Sequence, residues 1–78
     1  MKVRLSGFKQ VFITGEYIKL DALLKVASVV STGGEAKLLV QNGMVFVGSE
    51  QCTQRGRKIR PGDMVRYDEH TLLVKRAI

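Results

Sequence analysis

Four cations crowd into six residues late in the chain: Arg55, Arg57, Lys58 and Arg60, with no acid anywhere between Glu50 and Asp63. Such a run repels itself unless an anion compensates it or water solvates it. Arginine presents a planar fork of donors that matches phosphate oxygens, so a polyanion is the chemistry these residues suit. A solvated edge strand, where charge discourages sheet-to-sheet association, is the competing reading. A second feature is Gly33-Gly34. Two glycines in the first turn of a helix are unfavourable by roughly 1 kcal/mol each relative to alanine, so something should offset them. Either bare N–H groups at the helix start receive a phosphate, or this helix presses closely on a neighbour there; the two explanations are compatible. Lys37 and Gln41 follow on the outer face of the same segment.

Nothing in the sequence assembles a catalytic group. His70 is the single histidine and falls in the acidic stretch Asp68-Glu69-His70, where a solvated loop residue is the expectation. Cys52 is the single cysteine, so neither an internal disulfide nor a cysteine zinc cluster can form. It sits in an extended stretch with no histidine at a suggestive spacing and reads as a small packing residue. Nucleophile–base groupings, paired carboxylates and Walker-type loops are all missing. Expected catalytic residues, metal ligands and cofactors are therefore none, and the chain reads as a non-enzyme with no small-molecule substrate. Its 78 residues leave little room for a deep pocket.

Charge points the same way as the basic cluster. Thirteen Lys and Arg against seven Asp and Glu give a formal net charge of +6, with a pI near 9.9. A domain this basic attracts polyanions, nucleic acid above all. With 45% hydrophobic and 26% charged residues the chain is globular. It shows no repeat, linker or low-complexity stretch, so one domain spanning 1–78 is expected. No apolar run approaches the ~20 residues of a membrane span, and the N-terminus lacks the apolar run of a signal peptide. A lone thiol suits a reducing compartment. The expectation is a cytoplasmic protein with no membrane partner.

The elements that must position these residues follow from periodicity. Val3 and Leu5 alternate with Lys2 and Arg4, and Val11 and Ile13 with Phe12 and Thr14, which predicts extended chain up to a turn at Gly15. Leu20, Leu23, Leu24 and Ala27 then mark a short helix, ended by the β-branched pair Val29-Val30. Thr32 and Glu35 form a capping-box pattern that opens a second helix, with Ala36, Leu39 and Val40 inward and Asn42-Gly43 as its stop. Met44–Val47 predicts a strand, Gly48-Ser49 a tight hairpin turn, and residues 50–53 its partner. Pro61-Gly62 is the type II turn pair. Met64–Tyr67 and Thr71–Val74 complete a meander, hinged at residues 68–70. The class is α+β: two short packed helices against a small, mostly antiparallel sheet.

In this order the pieces resemble the S-four RNA-binding domain, first defined in a small-subunit ribosomal protein. The resemblance covers about residues 17–67. It rests on Lys19-Leu20-Asp21-Ala22-Leu23-Leu24, on Thr32-Gly33-Gly34-Glu35-Ala36-Lys37, on Gly43-Met44-Val45-Phe46-Val47-Gly48-Ser49 and on Pro61-Gly62-Asp63. Gly33 stands where the family usually has arginine, and Gly48-Ser49 replaces its usual Asn-Gly. The Thr-Gly-Gly-x-Ala-Lys string with the basic run looks most like the short stand-alone bacterial subgroup, the YaaA type. The resemblance implies the two-helix alpha-L RNA-binding motif and a partner in ribosomal RNA or an assembling ribosomal subunit.

The expected contact set is Lys19, Asp21, Thr32, Gly33, Gly34, Lys37, Gln41, Arg55, Arg57, Lys58 and Arg60. The cations among them would neutralise phosphates and the glycine amides would hold one more, so the partner would be structured RNA selected by shape. Phe8, Phe12, Tyr17, Phe46 and Tyr67 mostly sit in apolar strand context; core packing is expected of them rather than base stacking. Two rivals use the same basic face: a DNA-binding module and a protein-interaction module with an acidic partner.

Overall fold

A computed structural model describes residues 7–77; the strand expected around Val3 and Leu5 lies outside the described residues. The order of elements is β1 (Gly7–Ile13), β2 (Ile18–Lys19), α1 (Leu20–Val26), α2 (Gly33–Gln41), β3 (Val45–Val47), β4 (Glu50–Gln51), β5 (Lys58–Ile59), β6 (Met64–Tyr67) and β7 (His70–Arg76). Five strands form a sheet in the order β1-β7-β6-β3-β4, and β2 and β5 form a separate pair. All neighbours in the main sheet are antiparallel except β1 and β7, which run parallel with Val11 opposite Val74.

Helices and sheet share one core. Leu20, Leu23, Leu24 and Ala27 of α1 and its C-terminus, with Ala36 and Val40 of α2, pack on Val11, Ile13, Val45, Val47, Val65, Leu72 and Val74. Fully burying one leucine contributes about 1.5–3 kcal/mol, so the three α1 leucines hold that helix to the sheet more firmly than propensity could. Leu39, expected inward, is only half-buried. Cys52 is buried in the core, its Sγ 3.5 Å from the Gln54 carbonyl, as a packing residue should be.

Each helix is stopped by a left-handed residue. Gly43 has φ +74, its N–H donates to the Val40 carbonyl and the Met44 N–H to Leu39, which is the Schellman pattern. At the end of α1 the same pattern appears with Ser28 at φ +62: Ser28 N–H donates to Lys25 and Val29 N–H to Leu24. The first helix therefore ends through Ser28, and Val29 and Val30 pack against the core after it.

The turns obey local chemistry. Gly62 takes φ +99 and the Asp63 N–H closes on the Arg60 carbonyl at 2.9 Å, as a type II Pro-Gly turn requires. Gly48, at φ +65, heads the two-residue loop between Val47 and Glu50. The β6–β7 loop is shorter than expected: Tyr67 pairs with His70, leaving Asp68 at φ +57 and Glu69 as the turn. His70 thus begins a strand. It is exposed, but its ring stacks on Tyr67 with centroids 6.0 Å apart, and a Cβ at Gly7 would sit 2.6 Å from it.

Two expectations need correction. The strand expected over residues 50–53 covers only Glu50 and Gln51: the Cys52 N–H still donates to the Val45 carbonyl at 2.9 Å, with its side chain in the core, and the chain leaves the sheet after it. The aromatic residues do not fill the core. Phe8 and Phe12 are 59% and 57% exposed, Tyr17 is exposed, and Phe46 and Tyr67 are half-buried. Strand alternation is the reason: Val11 and Ile13 take the inner face of β1, which forces Phe8 and Phe12 onto the outer one.

Candidate nucleic-acid interface

The basic run is fixed in place by its backbone. Ile59 is fully buried on β5, and β5 pairs with β2 so that Ile18 faces Ile59 and Lys19 faces Lys58. The chain before it turns tightly, with the Arg57 N–H on the Gln54 carbonyl at 3.1 Å. This turn aims two carbonyls at the start of α1. Leu20 N–H donates to the Arg57 carbonyl at 2.9 Å and Asp21 N–H to the Arg55 carbonyl at 3.0 Å. A helix leaves its first N–H groups without internal partners. In α1 no side chain of Lys19 caps them; the arginine backbone does.

Lys19, Asp21, Arg55, Arg57 and Lys58, distant in sequence, are thereby gathered around one helix end. The charges are poorly compensated. Lys19 and Lys58 face one another across the β2–β5 pair, where like charges directly opposite are destabilising. Lys58 Nζ rests 4.9 Å above the Tyr17 ring, an attraction of about 0.5–1 kcal/mol at an exposed site. Arg57 reaches Glu50 only at 4.0 Å, and the Glu50 side chain is largely in water, so that pair contributes little. Among the described residues, Lys19, Arg55 and Arg60 have no carboxylate within 4 Å. The Asp21 carboxylate turns inward locally, accepting the Ala22 N–H at 2.8 Å. Cations gathered at the positive end of a helix are unfavourable unless an anion joins them.

Arg60 continues the run toward the Pro61-Gly62 turn. Its backbone N–H donates to Asp63 Oδ2 at 2.8 Å while its side chain stays exposed. The Pro-Gly-Asp stretch therefore anchors the basic segment to the sheet, and the Val74 N–H donates to the Asp63 carbonyl at 3.0 Å.

Thr32, Gly33, Gly34, Lys37 and Gln41 form a second group, on α2. Thr32 Oγ1 accepts the Glu35 N–H at 3.2 Å, and Glu35 Oε1 accepts the N–H groups of Thr32 and Ser31 at 3.3 and 2.7 Å. The capping box is complete. A Cβ at Gly33 would meet nothing within 4 Å, and one at Gly34 only Thr32 Oγ1 at 3.8 Å. Close packing on α1 therefore does not explain the two glycines. Lys37 and Gln41, one turn apart, are exposed. The helix that carries this group packs on α1 through its buried side.

Sequence reasoning missed Tyr17 and the capping carbonyls of Arg55 and Arg57. Tyr17 carried only the general signal of an aromatic beside a turn, and a backbone carbonyl carries none. Among the described residues no group of three His, Cys, Asp or Glu is placed to hold a metal, and no helix is long and apolar enough to cross a membrane.

The family model described as "S4 domain" matches residues 11–75. A probable ribosome maturation protein, RlbA of Bacillus subtilis (strain 168), is 39% identical over 56 residues, which are 72% of this chain and 79% of that protein. The match spans both helices, the capping loop and the Pro-Gly-Asp turn: the chain belongs to the S4-domain family.

Proposed function

We propose that the chain is a non-catalytic RNA-binding protein that docks its basic helical face on structured RNA, in ribosomal RNA or a ribosomal subunit during assembly or maintenance. The observation that carries this reading is the clustering of Lys19, Arg55, Arg57 and Lys58 around the start of α1, with Lys19 set opposite Lys58. Phosphate oxygens relieve that repulsion, and arginine forks receive them bidentately. The likeness to a probable ribosome maturation protein supports a ribosomal partner. On this reading Arg60 extends the phosphate track, Asp21 and Thr32 hold the helix starts in shape, and Gly33, Gly34, Lys37 and Gln41 supply a second contact along α2. The protein works in the cytoplasm, where ribosomes are built.

The test is binding to ribosomal RNA fragments across a salt series, with matched duplex DNA as competitor. The Arg55→Ala/Arg57→Ala/Lys58→Ala variant is measured alongside. The log–log slope should fall in magnitude by about 2–3 in the variant, at roughly 0.9 per lost phosphate contact. RNA should be preferred to DNA. Equal slopes for variant and parent, or DNA competing as well as RNA, would reject the proposal.

A further inference from the structure

Among the described residues, strand β1 has a second edge on which no other strand lies. It is the terminal strand of the five-stranded sheet among the described residues. Gly7 N–H donates to the Glu69 carbonyl and Ala77 N–H to that of Ile13, so the odd-numbered residues from 7 to 13 turn their backbone groups toward β7. In a parallel ladder the alternate residues point the other way. The N–H and C=O groups of Phe8, Gln10 and Phe12 therefore face outward along the edge. Their side chains share the outer face of the sheet, and both phenyl rings are more than half exposed.

Natural edges are commonly blunted by proline, by a bulge or by an outward charge. Between Gly7 and Ile13 there is no proline, and the one charge, Lys9, is on the inner side with its Nζ donating to the Ala27 carbonyl at 2.9 Å. We infer that this edge pairs with the same edge of a second copy, antiparallel about a two-fold axis through Gln10. The register is self-complementary. Gln10 meets Gln10 of the second copy, and Phe8 meets Phe12 of the second copy on both sides of the axis. Each of these pairs exchanges two N–H···O=C bonds. The alternate pairs set Lys9 against Val11, so no like charges stand directly opposite, and the two Lys9, diagonal neighbours across the axis, are each held to the Ala27 carbonyl of their own copy.

Aromatic rings contribute up to about 150–250 Å² each when buried. Phe8 and Phe12 are already two-fifths buried, so four of these rings with one strand pairing bury somewhat less than about 1,000 Å² in total, the size of a weak, transient contact. Such a dimer forms reversibly with concentration. Its two sheets become one continuous sheet of ten strands (five from each copy).

Sedimentation of the full chain from about 10 µM to about 1 mM should show a monomer–dimer equilibrium, in the range expected of so small an interface. Gln10→Lys and Gln10→Glu each place like charges at the axis and should weaken self-association at least about tenfold. An equimolar mixture of the two should recover the dimer, because opposite charges then meet. Far-UV circular dichroism confirms that each variant is folded. A chain that stays monomeric throughout, variants that associate like the parent, or folded variants whose mixture stays monomeric would each overturn the pairing.

Discussion

The two helices begin in opposite ways. The start of α2 is served by its own residues, Thr32 and Glu35, in a closed capping box. The start of α1 has no side-chain cap and depends on the Arg55 and Arg57 carbonyls, more than thirty residues away. One helix is locally finished; the other is finished by the basic loop. The consequence is mechanical: the loop's cations cannot be displaced from α1 without uncapping it, whereas α2 can fray or tighten by itself. The cap is made by backbone carbonyls, so the charged side chains of the loop are held only weakly, Lys58 over Tyr17 and Arg57 near Glu50, and can turn to an anion.

The largest way to break this contrast is to remove the anchor of the loop. Ile59 is fully buried on β5, and Ile59→Ala should destabilise the protein by about 2–5 kcal/mol in denaturant unfolding. In folded molecules, hydrogen exchange should accelerate at Leu20 and Asp21 and stay unchanged at Glu35. Acceleration at both helix starts would mean that α1 and α2 open together.

Thr32→Ala probes the other side and should lose about 1 kcal/mol, with faster exchange confined to the first turn of α2. By contrast, Arg55→Ala/Arg57→Ala/Lys58→Ala should leave thermal stability nearly unchanged, because the capping atoms are carbonyls that alanine retains. A marked loss in that variant would show that the side chains, and not the backbone, hold α1.

The glycines sharpen the comparison further. Gly33→Ala and Gly34→Ala have room for a Cβ and should each stabilise α2 by about 0.5 kcal/mol. If the bare amides hold a phosphate, the same variants should bind RNA more weakly while melting higher. An effect of similar size is expected of Ser28→Gly, which relieves a left-handed serine at the end of α1 and should add about 0.5 kcal/mol. Thermal melts of the three proteins decide both points.

Much of this was legible beforehand where the cause is local. The Thr32–Glu35 box, the Asn42-Gly43 stop and the Pro61-Gly62 turn each rest on chemistry within about five residues. The aromatics were misread because apolar character was taken as burial, while strand parity sends Phe8 and Phe12 to the other face. Alternation was visible at Val11 and Ile13, and extending it backward would have exposed both rings. The cations expected at the interface were chosen by charge, and charge did not say that the Arg55 and Arg57 carbonyls also cap a helix.

Residue types, short spacings and order along the chain were enough for the two helices, the longer strands of the main sheet, the Pro61-Gly62 turn, the basic balance and the family, but not for the β2–β5 pair or the ends of the short strands. Tertiary structure alone decided which distant residues meet. It set Lys19 against Lys58, laid β1 parallel to β7, gave α1 its cap from a remote loop and, among the described residues, put β1 at an edge of the sheet. Hydrogen-bond partners between distant backbones have no sequence signature, because every residue except proline carries the same N–H and the same C=O.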